Sequence, residues 1–299
     1  MKQFLIALFS LVCLSSTQAQ YSDNYFDVGA MVGMSSYTGD LAPSPFQLKH
    51  LHIAAGAFGR YNFGQWVSAR LGVNYGRISG DDADSRRADR RNRNLMFRST
   101  LWEVGLTGEW NMLGYHPRAL ERKFSPYLFL GVAWFHHNPQ ARGAGTNAWV
   151  DLRSLGTEGQ NLGYDGRAPY KKWGISVPMG VGVKFAINSR WGIGAELGFR
   201  KTFTDYLDDV SLSYVPSAAW EAARVNGVPS FSELMSDRSA EVNAPAEYYA
   251  NRGSARGDER DFDWYIFAGL TVSYHFLDEG LVGSSKRGRR KAGCRGARF

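Results

Sequence analysis

From Trp66 to Arg77, Val67, Ala69, Leu71, Val73 and Tyr75 alternate without a break with Ser68, Arg70, Gly72, Asn74 and Gly76. A period of two places the apolar side chains on one face of a strand and the small or polar ones on the other, which no helix does. Three more segments carry the same pattern: Trp173 to Phe185, Trp191 to Phe199, and Trp264 to Phe276. Tyr25 to Gly33, His50 to Tyr61, Ser99 to Asn111 and Phe124 to Phe135 follow it less cleanly. The chain therefore reads as eight strands, each close to the ~9–11 tilted residues that cross a hydrocarbon layer.

The polar faces decide which side of these strands is wet. In a soluble sandwich they would be the surface, and Lys and Glu would be common there. Here they are rich in Gly and Ser, which suits the inside of a narrow closed barrel where backbone and side chains crowd. The charges that do occur on them balance: Asp27, Glu103, Glu109 and Glu196 against Arg60, Arg70, Lys184 and Arg200. Buried charges need partners, so these eight are expected to form ion pairs in the lumen. Many segments begin or end in Trp, Tyr or Phe, the residues of interface girdles. Eight strands leave an interior that side chains just fill, which argues against a wide diffusion pore.

Connection lengths point the same way. Asn62 to Gln65, Met112 to Lys123 and Asn188 to Arg190 are short, whereas Met34 to Lys49, Ile78 to Arg98, His136 to Lys172 and Thr204 to Arg260 are long. Short turns alternating with long loops predict an all-β, eight-stranded antiparallel outer-membrane barrel, with long external loops, periplasmic turns and both termini in the periplasm. Upstream, Met1-Lys2 followed by the apolar run Phe4 to Leu14 and the small-x-small site at Thr17-Gln18-Ala19 reads as a secretory signal, with cleavage after Ala19. Cys13 lacks the small residue before it that lipidation needs. The division is then 1–19 signal peptide, 20–277 barrel and 278–299 basic tail.

Of the two cysteines, cleavage leaves only Cys294, so no intrachain disulfide can form. The net charge of +7 sits largely in one loop and the last fourteen residues rather than along a helix or stripe, which disfavours nucleic acid as a partner.

Several stretches resemble the PorG-like outer-membrane barrels of the type IX secretion and gliding machinery of Bacteroidetes. They are Ser36-Tyr37-Thr38-Gly39-Asp40-Leu41, Leu95 to Arg98 followed by Trp102-Glu103, Gly131 to Pro139, and above all Lys201 to Ser211. The long final loop and the tail depart from the pattern. The resemblance implies a non-enzymatic subunit in the outer membrane, without a cofactor, joining a periplasmic ring of PorK- and PorN-like proteins to that membrane. Paralogues outside the secretion machine exist, so the resemblance does not settle the role. A surface-binding, adhesin-like barrel and a lipid-modifying enzyme are the alternatives.

Candidate sites each have a plainer reading. Arg86, Arg87, Arg90, Arg91 and Arg93 could clamp phosphates or an acidic partner, but Asp81, Asp82 and Asp84 precede them and self-pairing is the expectation. Asp205, Asp208 and Asp209 are weak candidates for a Ca²⁺ site, since the alternating Asp/Asn template with a central Gly is missing and turn hydrogen bonds suit them better. His50, His52, His136 and His137 lie near the outer rim but on strands across the barrel from each other, whereas a metal needs converging ligands. No Gly-x-Ser-x-Gly elbow marks a nucleophile, so catalysis is not expected. Ser217 before Ala218 to Arg224, and Ser230 three before Glu233, signal two short helices in the last loop. The tail cations Lys286, Arg287, Arg289, Arg290 and Lys291 are the candidate contact for an acidic ring partner or inner-leaflet headgroups.

Overall fold

The computed structural model describes residues 24–42, 48–146, 148–243, 254–259 and 261–277. The proposed signal segment, Cys13, Cys294 and the five tail cations lie outside these residues. Eight long strands form the wall: β1 Tyr25–Thr38, β2 His52–Asn62, β3 Val67–Asp81, β4 Met96–Asn111, β5 Phe124–Arg142, β7 Trp173–Ala186, β8 Trp191–Thr202 and β9 Trp264–Phe276. A three-residue strand, β6 (Trp149–Asp151), adds to the free end of β5 above the wall. Every barrel strand pairs antiparallel with its neighbour in the chain, and β1 pairs with β9, so the sheet closes as an eight-stranded up-and-down barrel.

Closure follows from the alternation. On β4, Trp102, Val104, Leu106 and Trp110 point outward, half exposed, while Leu101, Glu103, Thr107 and Glu109 are buried inside. The same split repeats on Leu128, Leu130, Val132 and Trp134 of β5 and on Leu270 and Val272 of β9. Aromatic girdles border this apolar band: Phe63, Trp66, Trp110, Phe124, Phe185 and Trp191 at the turn end, and Tyr75, Trp102, Trp134 and Trp173 at the loop end. Phe124 and Trp134 stand about ten residues apart on one strand, which at ~3.3 Å per residue and ~40° of tilt spans about 25 Å, the height of a lipid-facing band. The outward Val, Leu and Ile expose on the order of 1,500 Å² in one belt, well past the few hundred Å² that a soluble monomer tolerates. The fold is that of a transmembrane barrel.

Two inward glycines show how tight the wall is. A Cβ on Gly131 would lie 2.1 Å from the backbone oxygen of Leu106, and one on Gly180 would lie 2.2 Å from that of Leu197. Neither neighbour can give way without moving its strand. Near Gly131 the β5–β7 ladder opens opposite Pro178, which has no N–H to offer.

At the loop end the strands run further than the alternation predicts. β1 continues past Gly33 to Thr38, β3 past Arg77 to Asp81 and β5 past Phe135 to Arg142, while β4 begins at Met96 rather than Ser99. The outward residues there stop being apolar, which ends the sequence pattern. The inward ones do not, and Tyr37, Ile78, Phe97, Leu101 and Phe135 form a buried cluster with Leu207, Val210, Met235, Tyr265 and Phe267. This second core lies above the membrane band. His50, predicted to open the second strand, instead closes a 3₁₀ turn at Leu48–His50.

Candidate functional site

The lumen is filled by charge. Lys184 Nζ donates to Glu109 Oε2 at 2.5 Å and to Asn111 Oδ1 at 3.0 Å. Arg60 Nε lies 2.9 Å from the same Glu109 oxygen, and Arg60 reaches Asp27 at 3.3 Å. Arg70 bridges Glu109, at 3.2 Å, to Glu196, to which it also donates through Nη1 and Nη2. Further toward the loops, Arg200 meets Glu103 at 3.2 Å, and Tyr265 donates to that carboxylate at 2.7 Å. The structure thus joins all eight lumen charges into pairs and shared contacts, from strands as distant in sequence as β1 and β8. Aromatic rings fill the gaps: Tyr127 donates to Glu196 at 2.7 Å, and Phe58 and Phe129 lie under the guanidinium of Arg70. Between Met31, Phe58, Arg70, Glu103 and Glu196 remains a void of about 20 Å³, room for one water. Such an interior braces the wall and leaves little free space.

Above the lumen the long loops fold into a cap. Arg256 Nη1 lies 3.1 Å from Glu158, and Glu158 Oε1 in turn accepts from the amides of Ser211 at 2.9 Å and Leu212 at 3.2 Å. Arg93 pairs with both oxygens of Asp82, at 2.7 and 2.8 Å, and donates to the carbonyls of Arg256 and Asp40. One guanidinium therefore ties three loops together. The expected helices pack into this cap. Ser230 accepts from Glu233 N at 3.1 Å and starts the helix Phe231–Ser236, whose Met235 is buried, while Trp220 is buried on the helix Ser217–Glu221.

The three rim aspartates do not converge. Asp209 accepts from Thr157 and, at 2.7 Å, from Tyr170, and it faces Arg256. Asp208 contacts the Tyr37 hydroxyl at 2.6 Å, and that hydroxyl lies 2.9 Å from Asp263. Asp205 stands apart from both. Burial raises all of these carboxyls: Asp209 to about 6, Asp205 to about 8 with Asp40 and Glu158 adding repulsion, and Asp208 and Asp263 well above their usual range. One O–H cannot donate to two carboxylates, so the Asp208–Tyr37–Asp263 chain holds a further proton. Among the described residues no group of three or more His, Cys, Asp or Glu is placed to hold a metal.

The rim histidines are also separate. His50 and His52 share the hydroxyl of Ser79, at 3.1 and 2.7 Å, whereas His137 meets the carbonyl of Lys171 at 3.1 Å. Of the loop arginines, Arg93 pairs with Asp82, Arg87 with Asp89, and Arg91 donates to the carbonyl of Ser85. The cap residues that sequence reasoning missed are Tyr37, Glu158, Arg256 and Asp263. Tyr37 and Asp40 fall in a stretch already singled out, but Glu158 and Arg256 sit in aperiodic loops with nothing to mark them.

Among solved structures the chain is similar to Ail, the attachment invasion locus protein of Yersinia pestis, with 9% identity and a TM-score of 0.39, covering 85% of this chain and 99% of that one. It is similar to Neisserial surface protein A at 9% identity and a TM-score of 0.39, covering 84% and 97%. The N-terminal β-barrel domain of Pseudomonas aeruginosa OprF matches at 12% identity and a TM-score of 0.32, covering 86% and 100%. Likeness at this level says nothing of function. No curated protein matches the sequence at a significant level. The profile of a family described as a domain of unknown function, DUF6089, matches residues 2–152, half of the chain, and the chain belongs to that family.

Proposed function

We propose that the protein is a non-enzymatic outer-membrane barrel, oriented with its loops outside and both termini in the periplasm, that anchors a periplasmic assembly to the membrane. The observation that carries this reading is the filled lumen. A barrel sealed from Asp27 to Arg200 by buried ion pairs neither conducts nor holds a substrate, so its work lies at its ends. The resemblance to PorG-like barrels names the partner as a PorK- and PorN-like ring of a type IX secretion or gliding machine. The tail cations from Lys286 to Lys291 supply the periplasmic contact in this reading.

A second reading rests on the cap. Val225, Val228, Leu234 and Val242 are exposed on a folded platform at the loop end, and exposed apolar side chains on ordered loops favour a surface-binding barrel.

Site-specific crosslinking separates the two. In a C294S background, cysteines placed in the turn 112–123 or in the tail should capture the ring proteins, and cysteines at Val225 or Val228 should not. Capture from the cap alone would overturn anchoring and support surface binding.

A further inference from the structure

The outer wall carries three arginines on the loop side of the aromatic girdle. They are Arg77 on β3, two positions past Tyr75; Arg98 on β4, four past Trp102 with Thr100 between; and Arg142 on β5, eight past Trp134 with His136, Asn138 and Gln140 between. The register places Arg77 opposite Thr100 and Arg142 opposite Met96 by extension of the Arg98–Gln140 pair, so Arg98 lies diagonally between the other two. Diagonal neighbours across strands sit ~7–8 Å apart, within reach of long side chains. Both flanking arginines are close enough to repel Arg98. The Arg98 guanidinium stacks 3.6 Å from the ring of Trp149, and Arg142 lies 5.6 Å from the same ring. One indole on β6 is thus approached by two cations.

These arginines are unlike those of the cap. Arg87, Arg93, Arg238 and Arg256 each meet a carboxylate. Among the described residues, Arg77, Arg98 and Arg142 meet none, and Arg98 donates instead through Nε and Nη2 to the neutral Gln140 Oε1, both at 3.3 Å. The nearby carboxylate, Asp151, is already held by Asn138 at 3.0 Å and Gln140 at 2.6 Å, with Lys172 at 3.9 Å. Across the barrel, the outward loop-end residues Met34 of β1, Ile53 of β2 and Trp264 of β9 carry no charge, and the one outward cation of β8, Lys201, lies 5.6 Å from the Trp264 ring rather than in a cluster.

We propose that Arg77, Arg98 and Arg142, braced by Trp149, bind the phosphate of an anionic lipid headgroup whose acyl chains lie on Val104, Leu106, Leu130 and Val132. Guanidinium forks match phosphate oxygens in pairs, and three clustered cations without a carboxylate partner, at a partly desolvated surface, attract an anion more strongly than they would in bulk water. The apolar strip on the membrane side of Trp102 and Trp134 supplies what a free phosphate lacks. This site needs only the membrane-spanning fold, not the orientation or partner proposed above.

The test is native mass spectrometry of the full chain folded in detergent, with dioleoyl phosphatidic acid, dioleoyl phosphatidylcholine or inorganic phosphate added. Phosphatidic acid should be retained about tenfold over phosphatidylcholine, and millimolar inorganic phosphate should not displace it. R77Q/R98Q/R142Q should abolish the preference and R77Q alone, at an exposed side chain, should weaken it severalfold. R86Q/R91Q should leave it intact. No preference in the native chain, an unchanged preference in the triple variant, or an equal loss in R86Q/R91Q would overturn the proposal, and displacement by inorganic phosphate would replace the lipid with a soluble anion.

Discussion

Lys184 Nζ lies 2.5 Å from Glu109 Oε2 at the centre of the barrel, and Arg60 and Arg70 approach the same carboxylate at 2.9 and 3.2 Å. One buried glutamate thus serves three cations. Removing it leaves them facing each other without water, whereas removing one cation leaves two partners for Glu109. E109Q should cost about 3–5 kcal/mol of stability and K184M clearly less. Guanidinium unfolding in lipid vesicles measures both, with the exposed turn variant E121Q as the reference. An E109Q barrel as stable as the native chain would mean that the lumen charges are solvated.

The same lattice closes the pore. In planar bilayers the protein should show no stable conductance, and neither should R77Q, which changes only the outer wall. Steady channels of native protein at 100 mV would contradict a filled lumen.

Gly131 is set by close approach rather than by a turn. G131A puts a methyl group where the Leu106 carbonyl stands, and the strand must shift to admit it. Overpacking of this kind costs about 1–3 kcal/mol. Refolding yield into vesicles, read by heat-dependent gel mobility, should fall for G131A and stay level for G108A, whose Cβ would meet only the Leu130 carbonyl, at an ordinary 3.8 Å.

The cap should respond to pH. Asp205, Asp208, Asp209 and Asp263 all have carboxyls raised by burial, so the folded cap binds protons that the opened cap releases. Its stability is full below about pH 4, the ordinary carboxylate range, and falls as pH rises through about 6 for Asp209 and about 8 for Asp205. Amide hydrogen exchange over residues 204–213, corrected for the intrinsic rate, should show greater protection at pH 5 than at pH 8.5. D205N should flatten the upper part of that profile. Equal protection at both values would show that these carboxyls are hydrated.

The membrane-spanning part was legible because one rule, alternation, governs every residue of it. The lumen charges Asp27, Arg60, Arg70, Glu103, Glu109, Lys184, Glu196 and Arg200 could be assigned to one face by parity alone, though not matched pair by pair, since pairing depends on how far each strand is staggered. The cap was not legible. Its core joins Tyr37, Phe97, Leu207 and Met235 from four separate segments, and its salt bridges join Glu158 to Arg256 across 98 positions of chain. Neither has a period, and strand ends were read short where outward residues turned polar at Thr38 and Ser79.

The central claim is that one face of each strand touches acyl chains while the other is sealed inside. Spin labels placed singly at each position from Trp102 to Trp110 of β4, in lipid vesicles, test it by accessibility to oxygen and to a water-soluble nickel chelate. High oxygen accessibility at Trp102, Val104, Leu106 and Trp110, with low accessibility to both reagents at Glu103, Thr107 and Glu109, is the expected result. Nickel access at the second set, or no alternation along the strand, would contradict it.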